Sequence, residues 1–177
     1  MNARARLFFA LWPDQAVRGE LAAWASALHR EVGGRVTKTE SIHLTLLFLG
    51  ELEPERCEAA LELGSPVSSP SFELTLDAAG CWKHNGVAWA APGAVPAPLA
   101  ALAEHLPAGA RDAGFEVERR AYKPHLTLLR KAQCRPLQWQ PPAPIVWRVE
   151  RFVLVRSAPN RDGVHYEEIA GWPLEGR

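Results

Sequence analysis

The chain has 177 residues, and its 20 Lys+Arg balance 20 Asp+Glu to a formal net charge of zero. With 47% apolar and 23% charged residues, it has the composition of a globular domain rather than of a disordered tail, a collagen-like repeat or a supercharged chromatin protein. Neutrality removes the global field behind tight non-specific duplex binding, but leaves nucleic acid open as a substrate reached through local charge.

One domain over residues 1–177 is the expectation, since a chain of this length buries roughly 70% of its unfolded surface. Leu7 to Trp12 is a short apolar run closed by Pro13-Asp14 and reads as a buried strand. It is too short for a secretory core of roughly 7–15 residues, and no stretch reaches the roughly 20 apolar residues of a membrane span. A cytoplasmic protein with no membrane association is expected. Asp14 caps a helix in which Val17, Leu21, Trp24 and Leu28 recur on one face, and Gly33-Gly34 ends it. Ser41 to Leu49 is a second strand, stopped by Gly50, and Glu51 to Leu63 is a short, weak helix. After the Ser/Pro-rich loop from Gly64 to Ser71, Phe72, Leu74 and Leu76 alternate as in a half-buried strand. His84-Asn85-Gly86 is a turn that leads into a strand from Val87 to Ala91.

The second half repeats this order. Leu99, Leu102 and Leu106 mark a helix that Pro107 is expected to interrupt. A basic stretch leads to a strand from Ala121 to Arg130, and a Pro-rich loop from Gln138 to Pro144 precedes one long strand over Val146–Arg156. A turn at Asn160–Gly163 returns the chain through Tyr166–Leu174. Strands interleaved with helices, several joined by turns too short for crossovers, give an α+β fold with mainly antiparallel sheets. Cys57, Cys81 and Cys134 are odd in number and match no CxxC or zinc spacing, so three reduced thiols are expected.

One pattern rises above this background. HLTLLFLG begins at His43 and HLTLLRK at His125, 82 residues later, with five consecutive residues identical. Self-similarity at one spacing argues for two related half-domains, each supplying one strand of the same type. Strand alternation sends Leu44 and Leu46 to one face, leaving His43 and Thr45 together on the other; His125 and Thr127 repeat the display. A packing repeat explains the leucines but gives no reason to keep His and Thr twice.

Side by side about a pseudo-two-fold axis, the two strands would converge two imidazoles and two hydroxyls on one cleft. In-line attack on a phosphodiester needs a general base on one side and a general acid on the other. Imidazoles with a reference pKa near 6.5 can hold one of each state near neutral pH. The threonine hydroxyls can hold non-bridging oxygens between them. No metal or other cofactor is required, and neither copy carries His-x-His or a carboxylate triad.

At these residues the sequence resembles the two-histidine phosphoesterase superfamily, and within it the RNA 2′,3′-cyclic phosphodiesterases, also called 2′-5′ RNA ligases. The likeness rests on His43-Leu44-Thr45-Leu46 and His125-Leu126-Thr127-Leu128, with Pro124 before the second motif, and extends through RLFFALWPD, VERFVLVRS and HYEEIAGWPL. The resemblance implies a bilobal fold, with helices outside and the histidines facing each other across a central cleft. It also implies metal-independent hydrolysis of the cyclic phosphate to a 2′-phosphomonoester. His43 would be the proton donor, His125 the proton acceptor, and Thr45 and Thr127 the phosphate holders. Arg130 is the candidate further phosphate contact, although simple alternation puts it on the leucine face unless a bulge intervenes.

The implied partners are RNA 3′ ends, or oligonucleotides and nucleotides bearing the cyclic phosphate, met by a monomer. A 2′-5′ ligase using the same residues and a non-catalytic RNA-end binding module are the alternatives. His29, His84, His105 and His165 are expected at surface or turn positions, the last with Tyr166 within reach of the cleft rim. Trp12, Trp82, Trp89 and Trp147 are expected mostly in the core, with base stacking as the alternative role. Arg111 to Arg135 holds seven basic and three acidic residues and brackets the second motif.

Overall fold

Two copies of one strand order build the architecture. The computed structural model describes residues 4–175. A first unit runs β1 (Ala5–Leu11), α1 (Gln15–Val32), a two-residue β2 (Arg35–Val36), β3 (Leu44–Leu52), α2 (Pro54–Glu62), β4 (Phe72–Leu76) and β5 (Ala78–Trp82). A second runs β6 (Val87–Ala91), α3 (Ala97–Asp112), β7 (Leu126–Arg130), β8 (Ile145–Val149) and β9 (Arg151–Asn160), which turns into β10 (Gly163–Pro173). Eight strands form one sheet in the order β10-β9-β1-β3-β7-β6-β5, with β2 also on β7, and β4 and β8 form a second sheet. All these strand pairings are antiparallel.

The units exchange strands: β5 lies on β6 of the second unit, and β9 lies on β1 of the first. The motif strands β3 and β7 meet at the centre through the pair Leu44 and Leu126. Val17, Leu21 and Leu28 of α1, and Leu99, Leu102 and Leu106 of α3, are buried in the same core as both motif leucines. Each such side chain contributes about 1.5–3 kcal/mol on burial. Asp14 starts α1 as expected, its carboxylate accepting from the Val17 N–H at 2.9 Å. On the other face a small cluster of Phe8, Ala10, Val153 and Val155 packs with Trp12 and Tyr166, so β1 is buried on both sides.

Several expectations are corrected. β3 does not stop at Gly50, which adopts a φ of +80° where the register against β1 skips one residue, and the strand continues to Leu52. Both motif strands begin one residue after their histidine rather than before it. The hairpin strand β5 is missing from the sequence reading because AAGCW holds no β-branched residue. The long strand over Val146–Arg156 is two strands in two sheets, parted at Glu150, whose carbonyl accepts from the Leu174 N–H at 2.7 Å. α3 continues through Pro107 to Asp112, its buried stripe ending at Leu106 and Ala110. Burial of those side chains offsets the backbone hydrogen bond that proline cannot donate. Among the described residues, no helix is long and apolar enough to cross a membrane.

The cysteine expectation fails as well. Cys81 and Cys134 form a disulfide with Cα atoms 5.4 Å apart, and Cys57 alone is free. Local spacing carries no sign of it, because only the β5–β6–β7 order brings two residues 53 apart in sequence together. The unfolded, unreduced chain should titrate one thiol. Cys81→Ser should lower unfolding free energy by about 2–4 kcal/mol, and a urea midpoint unmoved by both reductant and the substitution would refute the contribution.

Candidate active site

Each histidine stands at the mouth of its strand and is clamped in the same way. The Nδ1 of His43 lies 2.7 Å from the Ser41 carbonyl, and that of His125 lies 2.8 Å from the Lys123 carbonyl. A carbonyl only accepts, so Nδ1–H donates in both rings, which leaves Nε2 for a ligand. Both rings and both motif threonines line one cleft of ≈ 1800 Å³. Leu44, Leu46, Leu126 and Leu128 are buried beneath them, as alternation requires.

The alternation then slips at the same place in both copies. Along β1, Ala10 opposes Thr45 and Phe9 opposes Leu47, so Leu46 is passed over. Along β6, Trp89 opposes Thr127 and Ala88 opposes Leu129, so Leu128 is passed over. These bulges bury Leu47 and Leu129 and turn the next residues, Phe48 and Arg130, outward into the cleft. Arg130 therefore reaches the site against simple parity, and Phe48 is its counterpart. Extending the HLTLL repeat by one position, to Phe in one copy and Arg in the other, would have found Phe48 from the sequence.

Aromatic rings make the two imidazoles unequal. His43 is stacked on Trp12 at 4.6 Å with 11° between planes, and Phe8 and Tyr166 stand 5.0 and 5.2 Å away. His125 meets Trp82 edge-on at 4.7 Å, and Trp82 is backed by Trp89 at 5.5 Å. Trp147 is in the core as expected, but Trp12 and Trp82 instead flank the histidines. Tyr166 does line the cleft, while His165 is exposed; His29, His84 and His105 are exposed too, His84 at the cleft edge.

Burial pushes the His43 pKa down to about 4, with the charges of Arg130 and His125 adding to the effect and the Ser41 hydrogen bond opposing it. His125 is lowered mainly by burial, with Arg130 and Arg120 contributing, against its bond to Lys123. Both rings are neutral at pH 7 in the ligand-free site, and an anion between them would draw protons onto them. Burial also raises the Tyr122 hydroxyl, which donates to the Thr45 carbonyl at 3.0 Å and ties the approach to the second motif onto the first motif strand. Five basic residues of the Arg111–Arg135 stretch reach the cleft wall, but so do Glu51, Glu104, Glu116 and Glu118, and Glu118 pairs with Arg120 at 3.1 Å. The cleft wall is thus of mixed charge, and Arg130 and Arg120 are the cations that act on the histidines. No group of three or more His, Cys, Asp or Glu among the described residues is placed to hold a metal ion.

A family model described as LigT like Phosphoesterase matches residues 11–89 and again residues 90–166. The RNA 2′,3′-cyclic phosphodiesterase of Escherichia coli (strain K12) is 33% identical, with 98% of this chain and 99% of the relative covered. The crystal structure of E. coli LigT in apo form superposes with a TM-score of 0.90 at 32% identity, covering 98% of this chain and 99% of that one. The E. coli LigT complex with 3′-AMP gives 0.90 at 32% identity, covering 97% and 98%.

Histidine ring protons followed by NMR should show both His43 and His125 titrating below pH 6.5, with His43 the lower and near pH 4. Inorganic phosphate should raise both midpoints. A His43 midpoint at or above 6.5 in the free protein would contradict the burial of its ring.

Proposed function

The chain belongs to the LigT-like phosphoesterase family, and from that premise we propose that it is an RNA 2′,3′-cyclic phosphodiesterase. Its substrate is an RNA 3′ end, or a shorter oligonucleotide or nucleotide, that carries a 2′,3′-cyclic phosphate. We read residues 1–177 as one domain with two lobes, acting as a monomer in the cytoplasm. What carries the reading is the paired clamp: two imidazoles held by equivalent Nδ1–H bonds at the mouths of neighbouring strands, each followed two residues on by a threonine that lines the same cleft.

The cyclic phosphate sits between the rings, its non-bridging oxygens held by the hydroxyls of Thr45 and Thr127 and by the Arg130 guanidinium. Neutral His125 takes a proton from water through Nε2 as the water oxygen bonds to phosphorus. The bond from phosphorus to the 3′ oxygen breaks, and protonated His43 gives its proton to that oxygen. The products are a 2′-phosphomonoester and a free 3′-hydroxyl, with His125 protonated and His43 neutral, and one proton exchange with solvent resets the pair. No step requires a metal.

Burial keeps His43 neutral in the free site, so the donor role, carried over from the family motif, requires the substrate's negative charge to load the ring with its proton. In the free enzyme both groups titrate below 6.5, one needed protonated and the other neutral. The bell-shaped profile of kcat/KM should therefore peak on the acid side of pH 6.5, with limbs that report the pair. The kcat profile should lie at higher pH, because the bound phosphodiester stabilises both protonated rings.

Turnover of a nucleoside 2′,3′-cyclic phosphate to the 2′-phosphate should survive EDTA. His43→Ala and His125→Ala should each lower kcat by about 10²–10⁴-fold with the fold retained. Arg130→Gln should raise KM and lower kcat together. Chelator-sensitive turnover, or a wild-type rate in either histidine variant, would sink the assignment.

A further inference from the structure

The two motifs arrive at their histidines by different means. Before His125 stands Pro124, whose ring fixes its own backbone φ and stiffens the segment that presents the Lys123 carbonyl to Nδ1. Before His43 stands Ile42, which supplies no such restraint. The Ser41 carbonyl that accepts from His43 ends a single 3₁₀ turn over Thr39–Ser41, and a turn so short needs an external anchor to hold one geometry.

Trp12, the residue that follows β1, provides the anchor. Its Nε1–H donates to the Glu40 carbonyl at 3.2 Å, one residue before Ser41, and the Arg18 guanidinium reaches the same carbonyl at 3.3 Å. The indole is at the same time the ring stacked flat on His43. One side chain thus meets the imidazole twice: directly across its face, and indirectly through the turn that fixes its Nδ1 partner. Trp82, edge-on to His125, makes only the direct contact.

We propose that Trp12 is the positioning residue for His43, setting both the plane of its ring and the tautomer that leaves Nε2 in the cleft. The indole does this without touching the reacting atoms. The proposal builds on the phosphodiesterase reading only in taking His43 as the proton donor. The other groups that face His43 are Phe8 from β1, Tyr166 from β10, Arg130 from β7 and His125. Arg130 and His125 both oppose its protonation, so removing Trp12 leaves those charges in place.

The test compares Trp12→Phe, which keeps a stacking ring but loses the Nε1–H, with Trp12→Leu, which loses both. Turnover of a nucleoside 2′,3′-cyclic phosphate gives kcat and KM, and ¹⁵N-resolved NMR gives the tautomer and titration midpoint of each histidine, with His125 as internal reference. In Trp12→Leu, kcat should fall about 10–100-fold, the scale of a small misplacement of a reacting group, with KM nearly unchanged. The neutral His43 ring should become a mixture of tautomers and its midpoint should move back toward 6.5, while His125 keeps its own. Trp12→Phe should lie between the two, and it carries the test alone if the leucine variant does not fold. A raised KM with unchanged kcat would make Trp12 a substrate contact, and an unaltered His43 tautomer in a folded variant would make it packing alone; either overturns the proposal. If the wild type fails to open cyclic phosphates, the functional reading falls while the NMR comparison still decides the role of Trp12.

Discussion

The molecule turns on one backbone pairing, Leu44 against Leu126, where the two motif strands meet antiparallel at the middle of the large sheet. The histidines immediately precede these leucines, so this contact places both imidazoles in one cleft. Everything else supports it from outside. The leucines are seated by the helix-covered core, and the pairings of β4 with β8, β5 with β6 and β9 with β1 hold the two units in register. A sheet interior is a stiff place to mount reacting groups, since a strand buried on its leucine face cannot slip by one residue without exposing that whole set.

The repeat gives the site two-fold chemistry, and the surroundings take the equivalence away. Identical HLTLL runs produce identical Nδ1 clamps and identical bulges. Beyond the bulge, one copy offers a cation and the other an aromatic ring. Around the imidazoles, one copy has three aromatic neighbours and the other has an edge-on tryptophan. The two imidazoles already oppose each other's charging, and the unequal surroundings decide which of them is the harder to protonate.

Much of this is legible in the sequence because it is written in local periodicity. The Asp14 cap, the apolar stripe of α1, the alternating Phe72-Leu74-Leu76 strand and the doubled motif each need only neighbours a few residues apart. The unforeseen features all depend on partners distant in sequence. The bulges at Leu46 and Leu128 arise from the strands alongside, which run out of step with the motif strands. The break at Glu150 exists because β8 and β9 serve different sheets. The disulfide and the edge strand β5 belong to the exchanged part of the topology, and α3 crosses Pro107 because its buried face outweighs a local breaker. Trp12 and Trp82 give no local sign of their places beside the histidines, because tryptophan in a strand-like run is usually a core residue, as Trp147 is, and nothing in the run says which face the cleft occupies.

The strand exchange also bears on how such a molecule can be divided. Because β5 rests on the second unit and β9 on the first, a fragment ending between β5 and β6 would keep its motif strand on β1 but lose β7 from its other side, and would leave β1 without β9 and β5 without β6. Two copies of one such half-length chain could restore every lost pairing by associating about a dyad through β3, with each lending its last strand to the other. The chain of two units is in this sense a two-fold dimer written on one polypeptide. Its Cys81–Cys134 bond fastens the seam where the two subunits of that dimer would otherwise be free to part.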